Sequence, residues 1–162
     1  MTMKERQKAT STMTEWQFSR FDQLSARDLY EVLRQRQDVF ILEQACLYPD
    51  IDGFDQDASH LLGWVTTDGQ RQLGAYLRII APGVKYQEMS LGRVITARAA
   101  RGTGIGRELL ARAIGHAEQL YPGHRTRIGA QQYLEKFYAS FGFVTDSAPY
   151  DEDGIMHIEM VR

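Results

Sequence analysis

Residues 100–109 read ARGTGIGREL, with Gly102, Gly104 and Gly106 at alternate positions between Arg101 and Arg107. The stretch follows a strand-like run, Glu88–Thr96. It opens a segment in which Ile105, Leu109, Leu110, Ala113, Ile114, Ala117 and Leu120 recur at helical spacing. Strand, glycine loop and helix together make the context of an anion site. The first helical turn carries unpaired N–H groups and the positive end of the dipole, and glycine lets a ligand approach the backbone. Spacing removes two alternatives. A P-loop needs Lys-Ser/Thr after its last glycine, whereas Gly106 is followed by Arg107-Glu108. A dinucleotide fingerprint needs glycine at its sixth position, which is Arg107 counted from Gly102 and Leu109 counted from Gly104. What remains, Arg101-x-x-Gly104-x-Gly106, is by itself also compatible with a solvated turn.

The elements on either side predict the fold class. Upstream, His60–Thr67, Gln72–Ile80 and Glu88–Thr96 are strand-like and separated by Asp68-Gly69 and Pro82-Gly83, which makes them an antiparallel meander. Before them stand a first strand, Glu15–Phe21, and a helix capped by Ser25 with apolar Leu29, Val32, Leu33, Val39 and Phe40. Downstream, Pro122 and Gly123 stop the long helix and Arg127–Gln131 is a short strand. Leu134, Phe137, Tyr138 and Phe141 mark a further helix ended by Gly142, with strands at Phe143–Asp146 and Ile155–Val161. The order predicts an α/β domain with a mixed sheet. It forms one domain over residues 15–162, after a charged, polar leader over residues 1–14 that lacks the apolar stretch of a signal peptide.

Composition narrows the function classes. At 43% hydrophobic residues the chain can build a core without staples, and Cys46 alone cannot form an internal disulfide, which suits a reducing cytoplasm. A net charge of −2 with no basic stripe argues against nucleic acid, and no apolar run reaches membrane-spanning length. The acidic loop CLYPDIDGFDQDASH contains DxDG. Setting Gly53 at the sixth position of a calcium loop puts Tyr48 first and Ser59 twelfth, neither of which suits the ion. The histidines are scattered, so no metal site is expected. Asp50, Asp52, Asp55 and Asp57 could attract a cationic ligand, or be a solvated loop whose aspartates cap turns.

Residues 131–143 supply a second motif, Gln131-Gln-Tyr-Leu-Glu-Lys-Phe-Tyr138-Ala-Ser-Phe-Gly142-Phe143. With the glycine loop it resembles the GCN5-related N-acetyltransferases (GNAT). Their acyl-CoA loop reads Gln/Arg-x-x-Gly-x-Gly/Ala, and their downstream motif reads Asn-x-x-Ala-x-x-x-Tyr-x-x-x-Gly-Phe. Gln131 stands in for the asparagine and Leu134 for the alanine. The stretches ILEQACLYPDIDG, LGRVI, IGAQ and EDGIMHI further resemble the bacterial ElaA-like branch.

The resemblance implies a GNAT-type mixed, mostly antiparallel central sheet flanked by helices, with acetyl-CoA as cosubstrate. It implies that the amides of Arg101, Gly102, Thr103, Gly104, Ile105, Gly106 and Arg107 wrap the CoA pyrophosphate. Backbone groups of Val94, Ile95 and Thr96 pair with the pantetheine arm where the strand splays from its neighbour, and Gln131 lies beside the cofactor. Arg98, Arg101 and Arg107 are the candidates for the ribose phosphate. Tyr138 is the implied general acid at the departing sulfur, with core packing as its other use. An ammonium must lose a proton before it attacks. Glu88 and Glu43 are the candidate bases, beside His60, His157 and ordered water. The acceptor is an amine, cationic if the acidic loop attracts it, and the family implies a homodimer. A non-catalytic acyl-CoA sensor is the alternative function; retention of Tyr138 favours the enzyme.

Overall fold

Helix α2 (Ile105–Leu120) lies across a single eight-stranded sheet, with its N-terminus at the glycine loop. The computed structural model describes residues 13–162, so the leader expected over residues 1–14 falls almost wholly outside the described residues. The strands are β1 (Glu15–Arg20), β2 (Ser59–Thr67), β3 (Gln70–Ile80), β4 (Met89–Thr96), β5 (Thr126–Gln131), β6 (Val144–Thr145), β7 (Tyr150–Glu152) and β8 (Ile155–Val161). They run in the order β1-β2-β3-β4-β5-β8-β6, with β7 also paired to β8. Every pairing is antiparallel except β4 with β5. The mixed, mostly antiparallel sheet expected from the sequence is therefore what forms.

Two apolar layers hold it. On one face, Ile105, Leu109, Leu110, Ala113, Ile114 and Ala117 of α2 are buried against Leu77, Ile79, Met89, Leu91, Ile128 and Ile158. On the other, α1 (Ala26–Arg36) packs Val32 against Leu62, Trp64, Leu73, Tyr76 and Ile95. Full burial of such side chains stabilises by roughly 1.5–3 kcal/mol each before entropy is counted. Ser25 caps α1 as anticipated, accepting a hydrogen bond from the Asp28 amide at 3.0 Å. The chain then winds into a π-helical stretch, Gln37–Glu43, with Val39 buried on the second layer and Glu43 at its end.

Strand β4 departs from simple alternation. Its register against β3 steps from Arg78↔Gly92 to Tyr76↔Ile95, so Arg93 and Val94 together oppose Leu77, and Arg93 has φ +53°. This β-bulge inverts the facing of the strand. Met89 and Leu91 pack on the α2 layer before it, whereas Val94 packs there after it and Ile95 joins the α1 layer. Unbroken alternation would group Glu88, Ser90, Gly92 and Val94; the bulge removes Val94 from that face. Beyond Met89↔Thr126 and Ser90↔Arg127, β4 and β5 part company. A cleft opens between strands that are otherwise neighbours.

Two elements differ from the sequence reading. The third helix is short, α3 (Glu135–Ala139), entered through a 3₁₀ turn at Gln132–Leu134. Strand β7 was not anticipated. It forms a hairpin with β8 through Asp153 and Gly154, both left-handed at φ +52° and +86°, the conformation that Asp-Gly favours in a two-residue hairpin turn.

Candidate active site

The diverging strands open into a cavity of about 610 Å³. A smaller hollow of about 200 Å³ adjoins it, sharing Thr96, Arg101, Gly106 and Phe137, and is built from backbone. Gly102 and Gly104 are left-handed at φ +77° and +85°, and a Cβ added at either would meet nothing within 4 Å. A side chain is excluded there by backbone conformation while the space above stays open. Gly106 serves packing instead: its Cβ would come 3.2 Å from Cγ2 of Thr96, so helix and strand approach closely. Gly104 is the N-cap of α2, and the first turn after it points free amides outward. Val94, Ile95 and Thr96 line the cavity beside them, as does Gln131, whose Nε2 donates to Gln44 Oε1 at 3.2 Å. Loop amides, an open strand edge and Gln131 are thus brought together.

The arginines of this end are engaged within the chain. Arg101 donates from Nε to the Thr96 carbonyl at 3.1 Å and meets Glu43 at 2.6 Å. Arg107 lies over the Phe141 ring at 4.7 Å and donates to Ser140 Oγ at 3.3 Å. Arg98 is largely exposed, 3.8 Å from Glu43.

Tyr138 is reached from the other wall. Its ring packs edge-on to Phe137 and Phe143, it is 6% exposed, and it lines the cavity. Burial pushes its phenol up to about 12, so the hydroxyl keeps its proton throughout the neutral range.

The candidate bases fare differently. Glu88 does not line the cavity: Arg127 grips it with two hydrogen bonds of 3.0 and 3.1 Å. Those bonds hold its carboxyl below the usual range, which makes it a poor proton acceptor as well as a distant one. Glu43 does line the cavity, but its bond from Arg101 lowers its carboxyl too and ties it to the glycine loop. His60 is wholly buried away from the cleft, held by the Tyr76 hydroxyl and the Asp55 carbonyl at 2.8 Å each. Burial lowers its basicity. His157 alone of the two candidate histidines faces the cavity.

Most of the acidic loop is engaged within the fold: Asp52 caps a turn, accepting from the Phe54 amide at 3.2 Å, and Asp57 is exposed, but Asp50, Asp52 and Asp55 are paired with arginines. Arg36 and Arg78 are buried at 0% and 1% exposure. Arg36 bonds Asp50 at 2.8 Å and Asp55 at 2.6 Å. Arg78 bonds Asp55 at 2.8 Å and also pairs with Asp52. Arg93 reaches Asp52 at 3.1 Å and the Asp50 carbonyl at 3.0 Å. Three of the four carboxylates are matched by three guanidiniums, which weld the loop to α1, β3 and β4, while the fourth, Asp57, is exposed. Asp52 and Asp55 are held below the usual carboxylate range by these arginines, overriding the burial that opposes ionisation. No sequence periodicity announces a buried arginine, so this cluster was invisible before folding.

The cavity is also walled by Tyr48, Lys85, Tyr86, Tyr150 and Glu152, with Cys46 among them. Cys46 Sγ donates to the Gln44 and Asp153 carbonyls at 3.4 and 3.3 Å, linking this loop to the β7–β8 hairpin. Among the described residues no group of acidic, histidine or cysteine side chains could hold a metal ion. Likewise, no described helix is long and apolar enough to cross a membrane.

Comparison with known proteins agrees with this geometry. The family profile for the acetyltransferase (GNAT) domain matches residues 10–162. The chain is 40% identical to protein ElaA of Escherichia coli over 152 residues, covering 93% of this chain and 97% of that protein. Superposed on the crystal structure of Escherichia coli ElaA it gives a TM-score of 0.84 at 39% identity, over 93% of this chain and 99% of that one. An acyl-CoA N-acyltransferase from Pseudomonas aeruginosa gives 0.86 at 38% identity, with the same coverage of each chain.

Proposed function

The chain belongs to the GNAT acetyltransferase family, on its ElaA-like branch, and from that premise we propose that it acetylates an amine by direct transfer from acetyl-CoA, with Tyr138 as the donor to the departing sulfur. Membership carries the coarser statement by itself: an acyl-CoA-dependent acyltransferase with a CoA-type cosubstrate and an amine acceptor. The observation that supports the finer reading is the adjacency of two hollows: the open left-handed glycines line the smaller, Val94–Thr96 of β4 and Tyr138 line the larger, and Thr96, Arg101, Gly106 and Phe137 belong to both. Loop amides from Arg101 to Arg107 would hold pyrophosphate oxygens. The free edge of Val94–Thr96 would pair with the amides of an extended arm and so fix the acyl carbonyl in position.

Tyr138 has a defined part in this scheme. A phenol near 12 is a weaker acid than a thiol near 8.5. It therefore acts as a strong hydrogen-bond donor that stabilises the developing thiolate as the C–S bond breaks. A cytoplasmic setting fits a chain whose single cysteine is buried and unpaired.

Calorimetry tests the donor. Acetyl-CoA should bind with one site per chain, and ATP and NAD should give no heat; equal binding of all three would defeat the proposal. A screen for free CoA release across polyamines, amino acids, aminoglycosides and peptides then identifies the acceptor.

A further inference from the structure

His157 and Glu152 form a pair in the cavity that neither the glycine motif nor the tyrosine motif uses. We infer that His157, backed by Glu152, takes the proton from the incoming ammonium. The inference rests on the acyl-transfer reading above and adds the base that the reading lacks.

The geometry carries it. His157 sits on β8 directly across from Gln131 on β5, and both line the cavity. The odd positions of β5 and β8, Arg127, Gln131, His157 and Glu159, avoid the α2 layer, which takes Ile128, Ala130, Ile158 and Met160. The imidazole therefore lies on the sheet face opposite α2, where the end that would take the acceptor opens. Its Nδ1 is 2.8 Å from the Ile155 carbonyl, which can only accept, so Nδ1 carries the hydrogen. That leaves Nε2 as the basic lone pair. Glu152 Oε2 lies 3.4 Å from Nε2, and the Tyr150 ring stacks on the imidazole at 6.0 Å between centroids. The other ionisable groups near it are Glu159 two residues along β8, Asp153 at the hairpin turn, and Lys85 and Tyr86 at the cavity wall. Glu159 is already occupied by the Tyr150 hydroxyl at 2.8 Å. Glu152 is the anion placed to stabilise an imidazolium once it forms. Glu43 and Glu88, each held by an arginine, are the weaker acceptors of a proton.

The step balances without a further reactant. The ammonium gives one proton to Nε2 and becomes a free amine. The amine nitrogen attacks the thioester carbon, forming the C–N bond. As the C–S bond breaks, Tyr138 stabilises the departing thiolate by its hydrogen bond, the nitrogen gives its remaining surplus proton to water, and the sulfur takes one proton from water. His157 returns its proton to solvent, and one proton is released per turnover.

Two probe nucleophiles of similar shape separate this role from a structural one. Benzylamine is an ammonium at neutral pH and needs a base; O-benzylhydroxylamine is already neutral and does not. His157→Gln should lower kcat/KM for benzylamine by about 10²-fold and for O-benzylhydroxylamine by no more than about threefold. Acetyl-CoA binding should be unchanged. With benzylamine the wild-type rate should fall toward low pH, and that limb should vanish with the neutral probe. Glu152→Gln should give the same selective pattern, more weakly. Equal losses on both probes, or no loss, would overturn the inference while leaving the transferase reading standing. Absent acetyl-CoA binding by the wild type would instead defeat the transferase reading. Should neither probe be turned over, the ¹⁵N spectrum of His157 in the acetyl-CoA complex decides. A bare Nε2 that becomes protonated with falling pH supports the inference, and an Nε2–H at neutral pH overturns it.

Discussion

The two ends of the cavity are made of different material. The end proposed to take the donor is backbone, continued in the adjoining hollow: free amides after Gly104, the edge of β4 that β5 leaves unpaired, and glycines whose conformation leaves space. The end proposed to take the acceptor is side chains, gathered from the loop after the π-helical stretch, the β3–β4 connection and the β7–β8 hairpin, over a floor of paired arginines and aspartates. A backbone site tolerates changes in side chains that leave φ and packing alone. A side-chain site depends on each partner, because a buried ion pair that loses one member leaves the other charge uncompensated.

The contrast is sharpest at its floor. Asp55→Asn should unbalance Arg36 and Arg78 together and cost about 3–5 kcal/mol in denaturant unfolding, without touching the glycine loop. The same cluster sets an acid limit. Folded Asp52 and Asp55 titrate below their unfolded values, so their stabilisation is complete above the unfolded aspartate value of about 3.9. It is lost as pH falls through the lower folded values. Stability should drop below about pH 4, and Asp55→Asn should flatten that drop. A cost under 1 kcal/mol would show the floor to be as forgiving as surface pairs generally are.

Between the ends stands Tyr138. Tyr138→Phe should reduce kcat about 10²-fold, equivalent to roughly 2.7 kcal/mol, while acetyl-CoA affinity by calorimetry stays the same. Unchanged turnover would remove the tyrosine from the chemistry and leave it a packing residue with Phe137 and Phe143.

At the donor end the expected effects are smaller. Gly104→Ala keeps every side-chain contact yet puts a Cβ at φ +85°, so thermal unfolding and acetyl-CoA titration should each register about 1–2 kcal/mol. The smallest effect belongs to Glu43→Gln. It frees Arg101 from a partly exposed pair worth at most about 1 kcal/mol, and acetyl-CoA affinity should rise by no more than about threefold with kcat preserved. A large loss of kcat would restore Glu43 as the base and undo the assignment of His157.

The same difference in material explains what could be read before folding. Glycine spacing, the stripe on α2 and the Tyr138-x-x-x-Gly142-Phe143 motif are local patterns, and backbone sites are coded locally. The acceptor end is coded by pairs far apart in the chain. Arg78 and Asp52 are 26 residues apart, Gln44 and Gln131 are 87, and Cys46 and Asp153 are 107. The aspartates of the acidic loop look free until Arg36 and Arg78 are brought under them. Glu88 looks available until β4 and β5 pair at Ser90↔Arg127 and bring up Arg127. One local signal was present and unused: Asp153-Gly154 marks the hairpin that carries Glu152 toward His157.

The bulge in β4 has a consequence for how this cleft can change over time. Because Arg93 and Val94 share one partner on β3, the strand's outer half faces the opposite layer from the one its inner half would dictate. The cleft is therefore encoded in a count of residues as much as in their kinds. Exchanging one side chain for another along Gly92–Val94 leaves that count intact. Removing a single residue there would turn Ile95 and Thr96 over together, and with them the edge proposed to receive the cosubstrate. The facing of that edge is therefore more exposed to a change of length than to an exchange of side chains, Arg93 and its ion pairs apart.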